Sequence, residues 1–381
     1  MSFSLWFRGA SRALFNMALS KKLLKTFLEL FSNNCRKLLT FCGFCGIIKY
    51  KKARGSCTPT SISRKKVEVS PDMNSISQKD PLVKWTEKKK KSLKIAAKMI
   101  DAGYKLRGLR MQNCGDFINF KVCPECYKSY ISSTNLCRDR LCPTCAWRLS
   151  LKKFAEMCCT LQAIGDLQSY AAGFLTLTVK NCTPSGLNMA LRKMAQDWNR
   201  MLQQKICKET FFGWARSVEI TYNEKTRTFH PHFHIIVLYE PLLTVGEMNA
   251  RLRRAWNKAA RLDYEAITDF RAIEAESTNI DNEAFYSAIV ETFKYAVKSD
   301  DMEGMDMPTF RAFVQAIQGV RFVSYGGIIK EARKQLGYKD NDEDGDDIEL
   351  NKDACTACGT ALVKAVLQWS LTEGQYKQFA L

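Results

Sequence analysis

Histidine is the scarcest chemistry-bearing residue in this 381-residue chain: three are present, at 230, 232 and 234. Long hydrophobic runs are missing too. No uninterrupted apolar stretch approaches the ~20 residues that cross a bilayer, which excludes an ordinary membrane-spanning helix. Acid is almost absent from the first 67 residues, where Glu29 stands alone before Glu68. A clean secretory signal is also lacking, because the apolar positions near the start are interrupted by Lys21, Lys22 and Lys25. Sixteen cysteines in so long a chain therefore argue against a small disulfide scaffold. They point to a reducing compartment in which some thiols are committed to metal.

What is abundant is positive charge. Lys and Arg number 58 against 39 Asp and Glu, a net charge of +19. Such an excess suits a polyanionic partner, since Lys and Arg release counterions when they meet phosphates. The length allows two or three domains with cores of their own. Residues 1–80 read as a basic, partly disordered N-terminal extension. Residues 81–150 hold a basic helix and a cysteine-rich module, 151–300 a catalytic domain, and 301–381 a C-terminal region with an acidic loop.

Along the catalytic stretch, Gly173–Asn181 alternates as a strand and 187–207 carries apolar positions at helical spacing. Residues 215–240 read as a β-hairpin turning at Asn223–Thr226. Helices are expected near Leu149–Asp166, Val245–Ala260 and Asn282–Lys298. Strands interleaved with amphipathic helices define an α+β class, an α/β sandwich with one sheet face kept for chemistry.

The three histidines sit at alternating positions of FHPHFHIIV, so a strand places all of them on one face. The four-residue turn sets Tyr222 against Arg227 and Glu219 against His230. Any odd pairing sum keeps Glu219 on the histidine face. Imidazoles with a carboxylate make a divalent-ion site with open positions. The bland alternative, a polar strand face that happens to carry histidine, fits poorly with three together and none elsewhere.

The phrase His232-Phe233-His234 followed by Ile235-Ile236-Val237 resembles the signature of the HUH endonucleases, which nick one DNA strand with a tyrosine. The longer stretch EITYNEKTRTFHPHFHIIV is similar to bacterial plasmid rolling-circle replication initiators of that superfamily. Phe174–Asn181 resembles their first motif, and ETFKYAVK their third, in which Glu291 precedes Tyr295 by four residues. The resemblance implies a mostly antiparallel, ferredoxin- or RRM-like sheet flanked by helices, and His232 and His234 as ligands of Mg2+ or Mn2+. Glu219 is the candidate third ligand, and the role of His230 stays open. It further implies Tyr295 as the nucleophile, with Glu291 resolving the covalent state. On a continuous helix, Glu291, Tyr295 and Lys298 share one face, and Lys298 favours the phenolate.

Two C-P-x-C pairs complete the motif set. Cys123, Cys126, Cys142 and Cys145, with fifteen residues between the pairs, fit a tetrahedral Zn2+ site. Cys114 and Cys137 are spare thiols, able to replace a member or hold a second ion. Cys355 and Cys358 read as an isolated pair, inert or with a weak redox or metal role. Arg138, Arg140 and Arg148 surround the second pair, where they are candidates for phosphate contact. The partner implied is origin DNA with a single-stranded nick site in a hairpin, alongside host helicase and replication machinery. Self-association, no obligate membrane partner and a bacterial cytoplasmic setting complete the expectation. The rivals are a zinc-dependent DNA-binding regulator without catalysis and a relaxase or transposase of the same superfamily. The acidic run from Asp340 lacks the closing Glu of a calcium loop and reads as solvated.

Overall fold

The computed structural model describes residues 81–164, 167–273, 283–294, 296–339 and 353–379. The basic extension, the acidic run from Asp340 and Tyr295 lie outside the described residues. Two helices, α1 (Pro81–Asp101) and α2 (Lys105–Gln112), lead into strands β1 (Phe117–Val122) and β2 (Ser129–Thr134). Next come α3 (Pro143–Ala163), β3 (Ala171–Thr178), α4 (Leu187–Leu202) and α5 (Lys205–Thr210). The long hairpin β4 (Phe211–Asn223) and β5 (Thr228–Tyr239) precedes α6 (Val245–Ala260) and β6 (Thr268–Ile273). Beyond it are α7 (Glu283–Thr292), α8 (Ser299–Gly304) and α9 (Met307–Ala316). The chain then forms β7 (Val323–Gly326), α10 (Gly327–Gln335), β8 (Val363–Ser370) and β9 (Gln375–Phe379).

The strands form two sheets, and each pairing is antiparallel. The larger has the order β6-β3-β5-β4-β7, with β5 at its centre. Its hairpin forms where β-branched and aromatic residues alternate on both arms. The turn is held by the Asn223 side chain, whose Oδ1 accepts from the Thr226 amide at 3.1 Å, and by Arg227 in the left-handed region at φ 51°. The observed register pairs Asn223 with Thr228, so the loop is 224–227 and the pairings from Gly213 to Asn223 move by two from the expected ones. Glu219 therefore faces His232 rather than His230. Because the shift is even, Glu219 keeps the histidine face.

Alternation along β5 feeds two cores. Phe229, Phe233, Ile235 and Val237 join Leu175 and Leu177 of β3 against α4, α6 and α9. Ile236 and Leu238 face the other way, onto Phe285 and Ile289 of α7, Met157 and Leu161 of α3, and Ile329 of α10. All six named β5 residues are fully buried, each side chain contributing roughly 1.5–3 kcal/mol of transfer free energy. This is the expected α+β class, with helices on both sheet faces. Three helices cover the β5 histidine face over Ile236 and Leu238, and the histidines lie on the same face toward the start of the strand.

The smaller sheet has the order β2-β1-β8-β9. It unites strands from the cysteine-rich module with strands from the C-terminal region, more than 200 residues later in the chain. Residues 81–150 and 353–379 thus build one structure around Ile118, Phe120, Leu367, Trp369 and Tyr376.

Candidate functional site

Near the turn end of the β4–β5 hairpin, Glu219, His232 and His234 converge. Glu219 Oε2 accepts from His234 Nε2 at 2.8 Å and from His232 Nε2 at 3.2 Å. Their donor atoms lie within 4.8 Å of one another. Neighbouring groups orient the rings. His232 Nδ1 lies 3.3 Å from the carbonyl of His230, and His234 Nδ1 lies 3.4 Å from Thr176 Oγ1 on β3. An imidazole held at Nδ1 offers Nε2 inward, the arrangement that metal-binding histidines adopt. Phe174 stacks on the His234 ring at 5.4 Å. Burial raises the Glu219 carboxyl, but hydrogen bonds from His232 and His234, with the charges of His232 and Lys294, outweigh it. The group is held well below the usual carboxylate range. A carboxylate and two oriented nitrogens on one face supply three ligands, fewer than a divalent ion takes, and so fit an ion that keeps open positions.

His230 is not part of this group. It sits opposite Thr221, its ring 5.5 Å from that of His232, and lines a surface cavity with Asn181, Tyr222 and Asn223. Burial, then the charge of His232, keep its imidazole below the ordinary value.

The helix expected to run from 282 to 298 ends at Thr292. Beyond it the chain bends to the edge of β4, where the Ile220 amide donates to the Ala296 carbonyl at 2.8 Å and the Tyr222 amide to Asp301 Oδ2 at 3.1 Å. Buried strand amides need acceptors, and that demand overrides local helical preference. Glu291 and Lys298 therefore do not share one helical face, and Tyr295 lies outside the described residues. Glu291, in the last turn of α7, still reaches the site: its Oε1 lies 3.8 Å from His234 Nε2 and pairs with Lys294 Nζ. Lys298 is exposed at the start of α8. The cation beside the carboxylates is Lys294, whose signal in the sequence was its i,i+3 spacing from Glu291.

The cysteines form two groups, and neither is the set that spacing alone assembles. Cys114, Cys137, Cys142 and Cys145 converge in one buried cluster, with sulfur separations of 3.5 Å (114–145) and 3.6 Å (137–145). Cys123, Cys126, Cys355 and Cys358 converge in another. Equal C-P-x-C spacing hides different local structures. Pro143 opens helix α3, so Cys142 and Cys145 ride its first turn. Pro124 lies instead in the turn between β1 and β2. Cys114 and Cys137 flank the base of that hairpin and Cys123 its tip, roughly 20 Å apart for six-residue strands.

The buried cluster is stapled by α1. Lys89, fully buried, donates to the carbonyls of Gln112 (2.6 Å) and Cys114 (2.9 Å) and to Asp116 (2.6 Å). Ser92 Oγ lies 3.4 Å from Cys142 Sγ. All these cysteines are free thiols. Zn–S bonds of about 2.3 Å set a tetrahedral edge near 3.8 Å, close to the separations seen.

The three arginines diverge. Arg148 is 3% exposed, lying 5.8 Å from the rings of both Trp85 and Trp147. Arg140 donates to the Val320 carbonyl at 2.8 Å and stacks on Phe322. Arg138 is exposed. Among the described residues, no helix is long and apolar enough to cross a membrane.

A family described as "Replication protein" matches residues 128–377, more than half of the chain. "Protein rep" of Lentilactobacillus hilgardii is 32% identical over 267 residues, covering 68% of this chain and 84% of that protein. "Protein rep" of Streptococcus pneumoniae is 27% identical over 299 residues, 77% of this chain and 91% of its own. A "Replication protein" of Staphylococcus aureus is 34% identical over 189 residues, 47% of this chain and 79% of its own. No solved structure matches the chain significantly.

Proposed function

Because the chain belongs to the plasmid replication-protein family and is a replication initiator that acts on DNA, we propose that it starts rolling-circle replication by nicking one origin strand. The convergence of Glu219, His232 and His234, with Glu291 3.8 Å from His234, carries this reading. Those three residues would hold Mg2+ or Mn2+, which polarises the scissile phosphate when bound.

The nucleophile proposed is Tyr295. Its covalent neighbours support the choice: Lys294 pairs with Glu291, and Ala296 is hydrogen-bonded to the residue after Glu219. The phenol oxygen bonds to phosphorus, the bond to the 3′ oxygen breaks, and a 5′-phosphotyrosine and a free 3′-hydroxyl result. The phenolic proton passes to a base, and the leaving oxygen takes up a proton. Lys294 offsets the charge that builds on the phosphate. Glu291 then accepts the proton of a water or a returning 3′-hydroxyl that resolves the adduct. The buried cluster Cys114, Cys137, Cys142 and Cys145 would hold a zinc ion with no open position, a structural role.

The test uses a single-stranded origin oligonucleotide, labelled 3′ of the nick, with protein and Mn2+. An SDS-stable adduct forms with wild type and not with Tyr295→Phe. An adduct in that variant refutes the assignment of Tyr295, and none with wild type on its cognate origin refutes nicking, leaving a DNA-binding regulator.

A further inference from the structure

We infer that Cys123, Cys126, Cys355 and Cys358 form a second, structural zinc centre, a clasp joining the cysteine-rich module to the C-terminal hairpin across more than 220 residues of chain. The two halves are built alike. In the first, the Cys123 amide donates to the Lys128 carbonyl at 2.9 Å and the Tyr127 amide to the Cys123 carbonyl at 3.0 Å. In the second, the Cys355 amide donates to the Thr360 carbonyl at 2.7 Å and the Gly359 amide to the Cys355 carbonyl at 2.9 Å. Each loop thus closes with the same two offsets. Each also places the residue after its second cysteine in the left-handed region, Tyr127 at φ 55° and Gly359 at φ 76°.

Further amides and hydroxyls lie against the sulfurs. Cys126 N lies 3.5 Å from Cys123 Sγ, and Ala357 N lies 3.5 Å from Cys355 Sγ. Tyr130 OH approaches Cys355 Sγ at 3.5 Å, and Thr360 Oγ1 approaches Cys358 Sγ at 3.3 Å. Across the two loops, sulfur separations are 3.4 Å (123–358), 3.4 Å (126–355) and 3.8 Å (126–358). These sit near the tetrahedral edge of about 3.8 Å for zinc thiolates and far from the roughly 2 Å of a disulfide. Four soft thiolates with no open position select zinc and a structural role.

The placement supplies a reason for the ion. Val122 pairs with Val363 at the end of the small sheet, beside both loops, and that sheet has only a small apolar core. Small layers of this kind depend on a metal for stability.

The experiment measures zinc in the full chain, purified under reducing conditions without chelator. Two zinc ions per chain are expected, and one for the Cys355→Ser/Cys358→Ser double variant. One zinc in wild type, or two retained in the variant, overturns the inference. A second measurement on wild type does not depend on the variant folding: alkylation of each cysteine, mapped by mass spectrometry, before and after zinc removal. Cys123, Cys126, Cys355 and Cys358 should be protected together and released together. Rapid alkylation of the exposed Cys358 in zinc-loaded protein overturns the clasp, whatever happens at the nicking site.

Discussion

Replacing Glu219 with Ala tests the ion site most directly, because the carboxylate has two separable roles. In the metal-free protein it accepts from two imidazoles at 2.8 and 3.2 Å, with its side chain 9% exposed. Hydrogen bonds to a charged group are worth about 1.5–3 kcal/mol, and relief of the carboxylate's desolvation offsets part of that loss. A metal-free deficit of about 1–2 kcal/mol is expected near neutral pH. The second role is larger. Loss of the one charged ligand should weaken Mn2+ binding at least about 100-fold, roughly 2.7 kcal/mol. At Mn2+ near 100 times the wild-type Kd, the ion stabilises wild type by about 2.7 kcal/mol and the variant by about 0.4 kcal/mol. For a 381-residue chain, with about 2.1 cal/mol/K of unfolding entropy per residue, thermal unfolding should then show a Mn2+-dependent rise of about 3–5 °C in wild type and about 0.5 °C in the variant. Thiolate sites prefer softer ions than Mn2+, so they contribute little to the difference. An equal Mn2+-dependent rise in both proteins would refute the Glu219 assignment.

The same variant carries a pH signature. Glu219 is depressed from 4.5 in the folded chain, so its contribution is fully present above 4.5 and is lost as pH falls through the lower folded value. The metal-free gap between wild type and Glu219→Ala should narrow below pH 4.5 in urea titrations, and a gap that widens there refutes the sign. Arg148→Ala should lower stability by more than about 1 kcal/mol, because it removes a buried side chain packed beside two indoles, whereas Arg138→Ala should weaken DNA binding. The reverse pattern in binding and unfolding assays would exchange their roles. Gly327→Ala should cost more than about 2 kcal/mol: Gly327 has φ 57°, and an added Cβ would lie 2.0 Å from the Phe212 carbonyl oxygen. An unfolding free energy within about 0.5 kcal/mol of wild type contradicts that geometry.

Much of the candidate site was legible in the linear chain because strand geometry is local. Period-two alternation alone puts His230, His232 and His234 on one face, and any even register shift leaves Glu219 there. The register itself was not legible, since the Asn223 side chain and the left-handed Arg227 move the turn one residue along. Nor was the exclusion of His230, which depends on which cross-strand partner Glu219 meets. Helix periodicity misled at 282–298, where the demand of β4 amides for acceptors ended the helix at Thr292 and made Lys294, not Lys298, the nearby cation.

The cysteines show the same division sharply. The sequence by itself marked Cys123, Cys126, Cys142 and Cys145 as candidate ligands by their C-x2-C spacing, but it left Cys114 and Cys137 as spares and Cys355 and Cys358 as a lone pair. Only the tertiary structure decided who partners whom. A hairpin of six-residue strands carries Cys123 away from Cys114 and Cys137, and the return of β8 alongside β1 brings Cys355 and Cys358 to it. Spacing measures distance along the chain, but a tetrahedral ion requires four sulfurs within about 4 Å in space. That distance is set by long-range strand pairing, to which the interval between two motifs is blind.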